Sequence, residues 1–297
     1  MRLILSKSSI ISQTTIKKMK KMNIAIIGLG LMGGSIALSL QKHSYVKRIL
    51  GYDHNKEHEK TALTLGLIDA LGSFKEIKEC DVIFLAIPVD GVIAVLQELT
   101  DINEMATIID LGSTKEKIVS SIPDTIRQNF IAAHPMTGTE NFGPTAAVEG
   151  LYDDKVVVLC NLEDSGAHQR DIAKKIFTSL NMKLTYMDAK EHDRHAAFIS
   201  HMPHAISYSI ANAVMKQEDK HAILALAAGG YRSMSRLAKS SPNMWEDIFR
   251  QNKSNILEAI TIFEEELSQL KKAIQEDDWS RVHKEMSDGN KLHDILD

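Results

Sequence analysis

The sequence has 297 residues, of which 44% are hydrophobic and 25% charged, values that are ordinary for a soluble globular protein. A chain of this length suggests roughly two domains. The net charge of −4 gives no reason to expect nucleic acid or an anionic membrane as a partner.

The first 21 residues differ in character from the rest of the chain. They are Ser-rich and basic, and they lack the apolar core and small-residue cleavage site of a signal peptide. We therefore expect residues 1–21 to be a disordered extension, or an upstream start with Met19 or Met22 as the effective first residue. No apolar run reaches the ~18 residues of a membrane span. Two isolated cysteines, Cys80 and Cys160, indicate a reducing, cytoplasmic compartment.

A β-rich run over residues 23–27 leads directly into a glycine-rich turn and then into a helix through Leu40. This order, strand, GxGxxG, helix, is that of the dinucleotide-binding fingerprint. Gly28 makes the tight turn, Gly30 lets the backbone approach the pyrophosphate, and Gly33 lets the helix pack closely on the strand. A purely structural glycine turn is the alternative. The predicted cofactor-binding positions in this segment are Gly28, Leu29, Gly30, Leu31, Met32 and Gly33.

The second predicted strand, residues 48–53, ends in Asp53. A carboxylate at this place would accept hydrogen bonds from the adenosine ribose hydroxyls. Because it would also repel a 2′-phosphate, we expect NAD rather than NADP as the cofactor. The hydrogen-bond donors at residues 54–56 could still accommodate a phosphate, so NADP stays open.

Strands and helices continue to alternate as far as residue 188, which predicts an α/β domain over residues 22–188 with a Rossmann-type, doubly wound parallel sheet. Further strands are predicted at residues 81–88, 107–112, 130–133, 155–160 and 182–187, with helices at 90–99 and 115–122. Ligands of such sheets lie at the carboxyl ends of the strands. Pro88, Ser113, Lys115 and His134 follow predicted strand ends, so we expect them to line one crevice beside the nicotinamide. Pro88 and Ser113 are counted as cofactor-binding positions.

The segment from Ala132 to Glu140 reads Ala-Ala-His-Pro-Met-Thr-Gly-Thr-Glu and predicts a polar turn after an apolar run. Within it, His134 is the candidate for acid–base chemistry, because a neutral imidazole with a pKa near the working pH suits a general base. The alternative is a histidine that caps a neighbouring group.

After about Asp188 the strand pattern stops, and residues 189–297 are predicted to form an all-helical second domain for substrate binding and dimerisation. A long helix is predicted over residues 190–216, bent at Pro203. The remaining predictions are a helix at 220–228, a Gly-Gly break at 229–230, a polar segment at 231–239 and a long helix at 243–270. The apolar stripes of these helices exceed what one small bundle needs, so we expect a homodimer.

Four histidines lie close together at the start of the helical half: His192, His195, His201 and His204. Spacings of three residues can indicate metal ligands. However, Pro203 interrupts one pair and no Asp, Glu or Cys set completes a site, so we predict no metal. We interpret His192 and His195 as helix-surface or core histidines. His201 and His204 lie among apolar residues, where a histidine usually has a specific partner.

Taken in order, six motifs resemble those of prephenate dehydrogenases. They are the segments 28–35, 110–115, 133–140, 200–204, 229–236 and 244–245. The resemblance covers the chain from Met22 to its C-terminus. It implies oxidative decarboxylation of prephenate to 4-hydroxyphenylpyruvate, CO2 and NADH, on the route to tyrosine.

The resemblance also implies roles for individual residues. His134 would hydrogen-bond and deprotonate the ring hydroxyl, with Ser113 as its hydrogen-bonding neighbour. Arg236 would pair with a substrate carboxylate, a task that suits its bidentate guanidinium. His204 matches a position associated with preference for prephenate over arogenate. The other substrate-binding residues implied by motif position are Thr139, Glu140, His201 and Trp245.

Three alternatives stay open on the sequence. One is an arogenate or dual-substrate cyclohexadienyl dehydrogenase, which His204 disfavours in its strict arogenate form. The second is a β-hydroxyacid dehydrogenase, which would use a helix lysine such as Lys253 as its catalytic group. The third is a nucleotide-sensing protein without catalysis.

Overall fold

The first half of the chain is a sheet of eight strands with helices on both faces. The computed structural model describes residues 20–296, so all but Lys20 and Lys21 of the predicted extension lies outside the described residues. The strands are β1 (Met22–Ile27), β2 (Val46–Tyr52), β3 (Ala70–Leu71), β4 (Val82–Leu85), β5 (Thr107–Asp110), β6 (Phe130–Pro135), β7 (Val156–Cys160) and β8 (Lys183–Met187). The helices between them are α1 (Leu31–Leu40), α2 (Lys56–Thr64), α3 (Phe74–Lys78), α4 (Val89–Glu98), α5 (Glu116–Ser120) and α6 (Ala167–Ser179).

The predicted fold class is confirmed, with one difference in strand direction. The strand order is β3-β2-β1-β4-β5-β6-β7-β8, and β1 to β6 are parallel. β7 runs antiparallel to β6, and β8 runs parallel to β7. The sheet is therefore mixed rather than wholly parallel. A parallel return needs a long crossover, usually a helix, whereas residues 136–155 contain only one short 3-10 turn at Pro144–Ala146.

Helices cover both faces of this sheet because its central strands are apolar on both sides. Along β1, Ile24 and Ile26 face one core, which includes apolar residues of α1 and α6. Ala25 and Ile27 face the opposite core, which includes residues of α4. Continuous apolar strands buried on both faces are typical of doubly wound sheets. The polar residues that follow the strands are therefore held at the rim of a rigid scaffold.

The second half of the chain is helical within the described residues. Its elements are α7 (Ala189–Ala196), a π-helical turn (Ala197–His201), α8 (Met202–Met215), α9 (Lys220–Ala225), α10 (Gly229–Ser235), α11 (Pro242–Gln251), α12 (Lys253–Gln275), α13 (Trp279–Asn290) and α14 (His293–Leu296). A 3-10 turn, Arg236–Lys239, follows α10. Asp188 begins this half as the N-cap of α7, where its side chain accepts the N–H of Glu191.

Three helix predictions in this half differ from the structure. The predicted bend at Pro203 is a π-helical turn just before it, because proline has no N–H to donate to the carbonyl four residues earlier. Gly229 opens α10 instead of separating two helices. The predicted helix over 243–270 is two helices that meet at Asn252, which has φ −113° and ψ 30°.

Large apolar side chains remain exposed on the helical half. Leu226, Met286, Trp279, Ile199 and Leu257 are each more than half exposed in the single chain. Exposed apolar surface of this kind marks a site for association. Between residues 20 and 296, none of the helices combines the length and the apolar character that crossing a membrane requires.

Candidate active site

A glycine-lined cradle lies where β1 meets α1. Gly28 has φ +94°, and a Cβ on it would lie 2.3 Å from the carbonyl oxygen of Ala86. A Cβ on Gly33 would lie 1.8 Å from the carbonyl oxygen of Gly28. By contrast, a Cβ on Gly30 would meet no atom within 4 Å. Space is therefore kept open at Gly30, which is also the N-cap of α1 and carries no side-chain cap. Free N–H groups at an open helix start suit a pyrophosphate.

Asp53 lies directly beside this cradle, one residue after β2. Its side chain is 5% exposed, and Oδ2 accepts the N–H of Leu29 at 2.8 Å. Its Oδ1 accepts the N–H of Asn55 at 2.9 Å. Two imidazoles flank the carboxylate, with His54 Nδ1 at 3.2 Å and His58 Nδ1 at 3.5 Å. The carboxylate is thus fixed at the position where the fingerprint requires a ribose acceptor.

The other predicted cofactor positions differ in burial and contacts. The Leu29 side chain is buried in the core, while the carbonyl of Met32 accepts the hydroxyl of Tyr152 at 2.8 Å. Leu31 is half-buried, and Pro88 is exposed at the N-cap of α4. The cradle therefore offers main-chain groups to a dinucleotide, as its glycines require.

The glycines of the cradle should respond differently to substitution. Gly33→Ala is expected to lower the free energy of unfolding by about 1–3 kcal/mol, because its methyl group would overlap the Gly28 carbonyl. Gly30→Ala has room and should unfold like the wild type, but it should raise KM for the dinucleotide about tenfold. Urea unfolding and KM measurements on both variants test this. Equal stability of the two variants would contradict the proposed crowding at Gly33.

The sequence predicts that His134 follows the end of a strand. In the structure it lies inside β6. It pairs with Val158 of β7, because the polar segment continues the strand along its antiparallel neighbour. The ring is 9% exposed, and its Nδ1 lies 2.8 Å from Nε2 of His192. Burial, together with the neighbouring His192 and Lys115, holds the pKa of His134 well below its usual range. The ring is therefore neutral at physiological pH.

His192 and Asp193 support His134 from the helical half, and neither was predicted as a site residue. His192 Nδ1 lies 2.7 Å from Asp193 Oδ1, and both side chains are 2% exposed. The Asp193 carboxylate also accepts the N–H groups of Lys115 at 2.7 Å and Glu116 at 2.9 Å. We had interpreted His192 as a helix-surface or core histidine. It is buried, and its Nε2 joins the two halves of the chain through His134.

Ser113 and Lys115 follow β5 at the same rim. Lys115 is fully buried and forms an ion pair with Asp110, which is fully buried as well. Ser113 is half-buried. Among the described residues it makes no hydrogen bond to His134, in contrast to the implied arrangement, and His134 Nδ1 is occupied by His192. Only Nε2 of His134 is left for Ser113 or a ligand.

A second carboxylate of the helical half, Asp247, docks at the neighbouring strand end. Its Oδ2 accepts the N–H of Val89 at 3.2 Å, directly after Pro88. Its Oδ1 accepts Arg250 at 2.8 Å. The N–H groups that follow β4 and β5 are thus bonded by carboxylates from the helical half. The predicted crevice at Pro88, Ser113, Lys115 and His134 faces that half.

Arg236 and Glu140 meet across the two halves. Arg236 Nη1 lies 3.3 Å from Glu140 Oε2, with the Arg236 side chain 53% exposed. Backbone hydrogen bonding and the Arg236 guanidinium lower the pKa of Glu140. Thr139 Oγ1 accepts the N–H of Asn141 at 3.2 Å, which shapes this loop. The loop therefore brings an accessible guanidinium to the edge of the candidate site.

An aromatic cluster forms behind this edge. The rings of His204 and Trp245 stack with centroids 3.5 Å apart, and His201 meets Trp245 edge-on at 6.0 Å. Asn252 Nδ2 lies 3.0 Å from His201 Nδ1 and donates to the carbonyl of Asp193 at 2.7 Å. Burial lowers the pKa of His201 to about 4. The break between α11 and α12 thus places Asn252 where it links this cluster to Asp193.

Two ring nitrogens of this cluster have no hydrogen-bond partner among the described residues. His201 Nε2 and Trp245 Nε1 are buried without a hydrogen-bond partner in the part of the chain that the structure describes. Because buried polar groups normally pair, an acceptor from a ligand or water is expected there. His204 has one nitrogen engaged, since Nδ1 donates to the carbonyl of Ser200 at 2.9 Å. His195 is exposed on α7. Across residues 20–296, His, Cys, Asp and Glu side chains form no group of three or more suited to a metal ion.

Known proteins resemble both halves of the chain. The profile described as "Prephenate dehydrogenase, nucleotide-binding domain" matches residues 36–186, and that described as "Prephenate dehydrogenase, dimerization domain" matches residues 188–288. The prephenate dehydrogenase of Bacillus subtilis is 33% identical over 265 residues, which cover 87% of this chain and 71% of that protein. The cyclohexadienyl dehydrogenase of Zymomonas mobilis is 30% identical over 262 residues, covering 86% and 89%.

A solved structure resembles the whole described fold. It is the prephenate dehydrogenase of Aquifex aeolicus in complex with hydroxyphenyl propionate and NAD+. Its TM-score is 0.87 at 29% identity, and the match covers 94% of this chain and all of the other. Together with the two matching domain profiles, these similarities lead to one conclusion: the chain belongs to the prephenate dehydrogenase family.

Proposed function

We propose that this chain catalyses the NAD+-dependent oxidative decarboxylation of prephenate to 4-hydroxyphenylpyruvate and CO2, on the route to tyrosine. The observation that carries the proposal is the position of His134, a buried neutral imidazole with Nε2 left for a ligand, in the same sheet as the dinucleotide cradle. Family membership supports the same chemistry. It also favours this reaction over that of a β-hydroxyacid dehydrogenase, and the bound NAD+ in the Aquifex aeolicus relative supports a nicotinamide cofactor.

The glycine cradle would hold the cofactor, with the open N-terminus of α1 toward the pyrophosphate and Asp53 toward the ribose. When bound, NAD+ supplies the hydride acceptor for the ring carbon that bears the hydroxyl group. Pro88 and Ser113 follow β4 and β5, at the rim where a nicotinamide would lie. The protein's own task is to orient the ring and to manage one proton.

His134 is the base in this proposal. As the ring carbon loses its hydride, its hydroxyl becomes a carbonyl and the hydroxyl proton passes to Nε2 of His134. A neutral imidazole is required for this transfer, and the lowered pKa of His134 keeps it neutral at pH 7. Ser113 would hydrogen-bond the same hydroxyl. The proton can return to the ring oxygen when the product becomes a phenol.

Arg236 provides a fixed cation for a dianionic substrate. Its guanidinium is half exposed and already near the carboxylate of Glu140, so a substrate carboxylate can share or replace that contact. Loss of the ring carboxylate as CO2 leaves its bonding electrons in the ring, which becomes aromatic. Aromatisation supplies the driving force. Thr139, Glu140, His201 and Trp245 complete the proposed substrate pocket.

The direct test is NADH formation by the purified chain with NAD+ and prephenate, together with identification of 4-hydroxyphenylpyruvate. We expect stoichiometric NADH, CO2 and phenolic product. Parallel assays with arogenate test the main alternative, an arogenate or cyclohexadienyl dehydrogenase like the Zymomonas mobilis relative. With His204 in place, we propose higher kcat/KM for prephenate. Turnover of neither substrate would overturn the proposal.

NAD rather than NADP is the proposed cofactor, because the Asp53 carboxylate is buried at the ribose position. Asp53→Asn keeps an oxygen that can accept the Leu29 N–H but removes the charge. We therefore expect the variant to lower the preference for NAD+ over NADP+ about tenfold or more. Values of kcat/KM for both cofactors measure this preference. An unaltered ratio would mean that Asp53 does not face the ribose.

We further propose a homodimer that forms through the helical half. The matched dimerization domain supports oligomerisation, and the exposed apolar residues of the helical half provide the surface. Light scattering on the purified protein should give twice the mass of the chain, and a monomeric mass would remove this proposal. The cytoplasmic location expected from the isolated cysteines stays a prediction.

A further inference from the structure

We infer that His192 and Asp193 are positioning residues that set the tautomer of His134 and hold its Nε2 unprotonated. This inference rests on the proposed function, since it concerns the base of that reaction. The supporting pair, as we call His192 and Asp193, lies on α7 of the helical half, whereas His134 lies on β6. The three side chains form a continuous hydrogen-bonded series, 2.7 Å and 2.8 Å between the bonded atoms.

The direction of each hydrogen bond follows from the groups involved. An ionised carboxylate has no proton to donate, so His192 Nδ1 must donate to Asp193 Oδ1. In a neutral His192 the other nitrogen, Nε2, then accepts. His134 Nδ1 must donate to it, and His134 Nε2 is left with its lone pair. This lone pair is what the base needs in order to take the hydroxyl proton.

The Asp193 carboxylate is itself fixed so that it stays an acceptor. It takes two backbone N–H groups, from Lys115 and Glu116, in addition to the imidazole of His192. Three donors on one carboxylate keep both of its oxygens engaged as acceptors. The Asn252 amide holds the main chain of the same residue through the Asp193 carbonyl. Rotation of Asp193 or His192 would leave several buried groups without partners, so the pair is rigid.

The supporting pair also acts while the proton is transferred. The other charged or titratable groups around His134 are the Lys115–Asp110 ion pair and His201. Burial, His192 and Lys115 all disfavour a positive charge on His134. When His134 becomes an imidazolium, its Nδ1–H still donates to His192, and the Asp193 carboxylate polarises that acceptor. The pair therefore keeps the ring oriented through the transfer, whereas the substrate contacts are made elsewhere.

Replacement of His192 tests the inference. His192→Leu removes the acceptor, so we expect kcat to fall about 10²–10³-fold, with KM for prephenate and NAD+ within about threefold of wild type. The acid limb of the kcat/KM–pH profile should shift, because His134 loses the hydrogen-bond partner of its Nδ1. A purely structural role would not move this limb. His195→Leu, an exposed histidine on the same helix, is the matched control and should retain wild-type kcat.

Asp193→Asn gives a second, independent readout. Asparagine has one side-chain oxygen for the three donors that Asp193 accepts, so the hydrogen-bonded series is disrupted. With its amide nitrogen toward His192 Nδ1, it would reverse the series and place a proton on His134 Nε2. We expect kcat to fall about 10²–10⁴-fold, as when a catalytic histidine is held in the wrong tautomer. His192→Gln keeps an acceptor oxygen and should recover part of the activity lost in His192→Leu. If the leucine variant fails to fold, kcat of His192→Gln still tests the positioning role.

The outcomes separate this inference from the proposed function. If the wild type forms no NADH from prephenate, the proposed function fails. The positioning role is refuted if the wild type is active and two results hold for both His192→Leu and Asp193→Asn. Their kcat stays within about threefold of wild type, and the acid limb of their pH profile does not move beyond experimental error. Loss of NAD+ and prephenate binding in proportion to kcat would refute it too, because that pattern describes a structural role.

Discussion

Replacing His134 with asparagine is expected to lower kcat for NADH formation from prephenate by about 10²–10⁴-fold, the usual contribution of a general base. KM for prephenate and NAD+ should change only a few-fold, because His134 acts on the hydroxyl proton rather than on the carboxylates. Asparagine keeps an N–H donor that can reach toward His192, so the buried pair is not left wholly without a partner. Initial rates of NADH formation over a range of both substrates measure the two effects separately.

Two controls accompany the His134→Asn measurement. Thermal unfolding of the variant shows whether the buried hydrogen bond to His192 is needed for folding. Binding of NAD+ to the variant shows whether the cradle is intact. A folded variant that binds NAD+ but turns over normally would show that His134 is not the base, and the proposed function would lose the observation that carries it.

Arg236→Ala should raise KM for prephenate about 30–150-fold, which corresponds to roughly 2–3 kcal/mol of lost binding. The physical reason is that a substrate carboxylate would lose its charged partner, while the proton transfer at His134 would be unchanged. Effects on kcat should therefore be smaller than effects on KM. Steady-state kinetics with prephenate as the varied substrate provide the measurement.

Two further variants test how the KM for prephenate depends on the guanidinium of Arg236 and on its pairing with Glu140. Arg236→Lys keeps the charge but loses the planar fork, so its KM should lie between those of wild type and Arg236→Ala. Glu140→Gln removes the anion that pairs with Arg236 in the absence of substrate. Its KM shows whether that pair competes with the substrate carboxylate. An unchanged KM in Arg236→Ala would remove Arg236 from the substrate site.

Features that depend on local sequence were the ones that could be predicted. The glycine cradle and Asp53 follow from steric needs within one strand–turn–helix unit, so their spacing alone indicated a dinucleotide site. The alternation of strands and helices likewise predicted the fold class. Strand direction is another matter, because apolar periodicity is the same for a strand and for its reverse. The reversal of β7 and β8 therefore had no signal in the pattern.

Features that depend on contacts between distant segments were missed. His192 resembles any helix histidine in the sequence, and only the packing of α7 on β6 brings it to His134. The adjacent His-Asp pair was the one local hint. The break at Asn252 was hidden because apolar spacing continues across it, from Ile248 to Ile256. The Asn252 side chain makes two buried hydrogen bonds at the break. These bonds stabilise the chain more than a continuous helix through Asn252 would.

The hydrogen bond between His134 and His192 has a consequence for protein engineering. The base belongs to one half of the chain, and the group that accepts its Nδ1 proton belongs to the other. Recombining a nucleotide-binding half from one relative with a helical half from another would therefore separate the proposed base from the residue that positions it. Crossovers at the junction near Asp188 are the natural choice for such chimeras, yet they divide this one functional unit. A successful recombination would have to select its two parents as a matched pair at these positions.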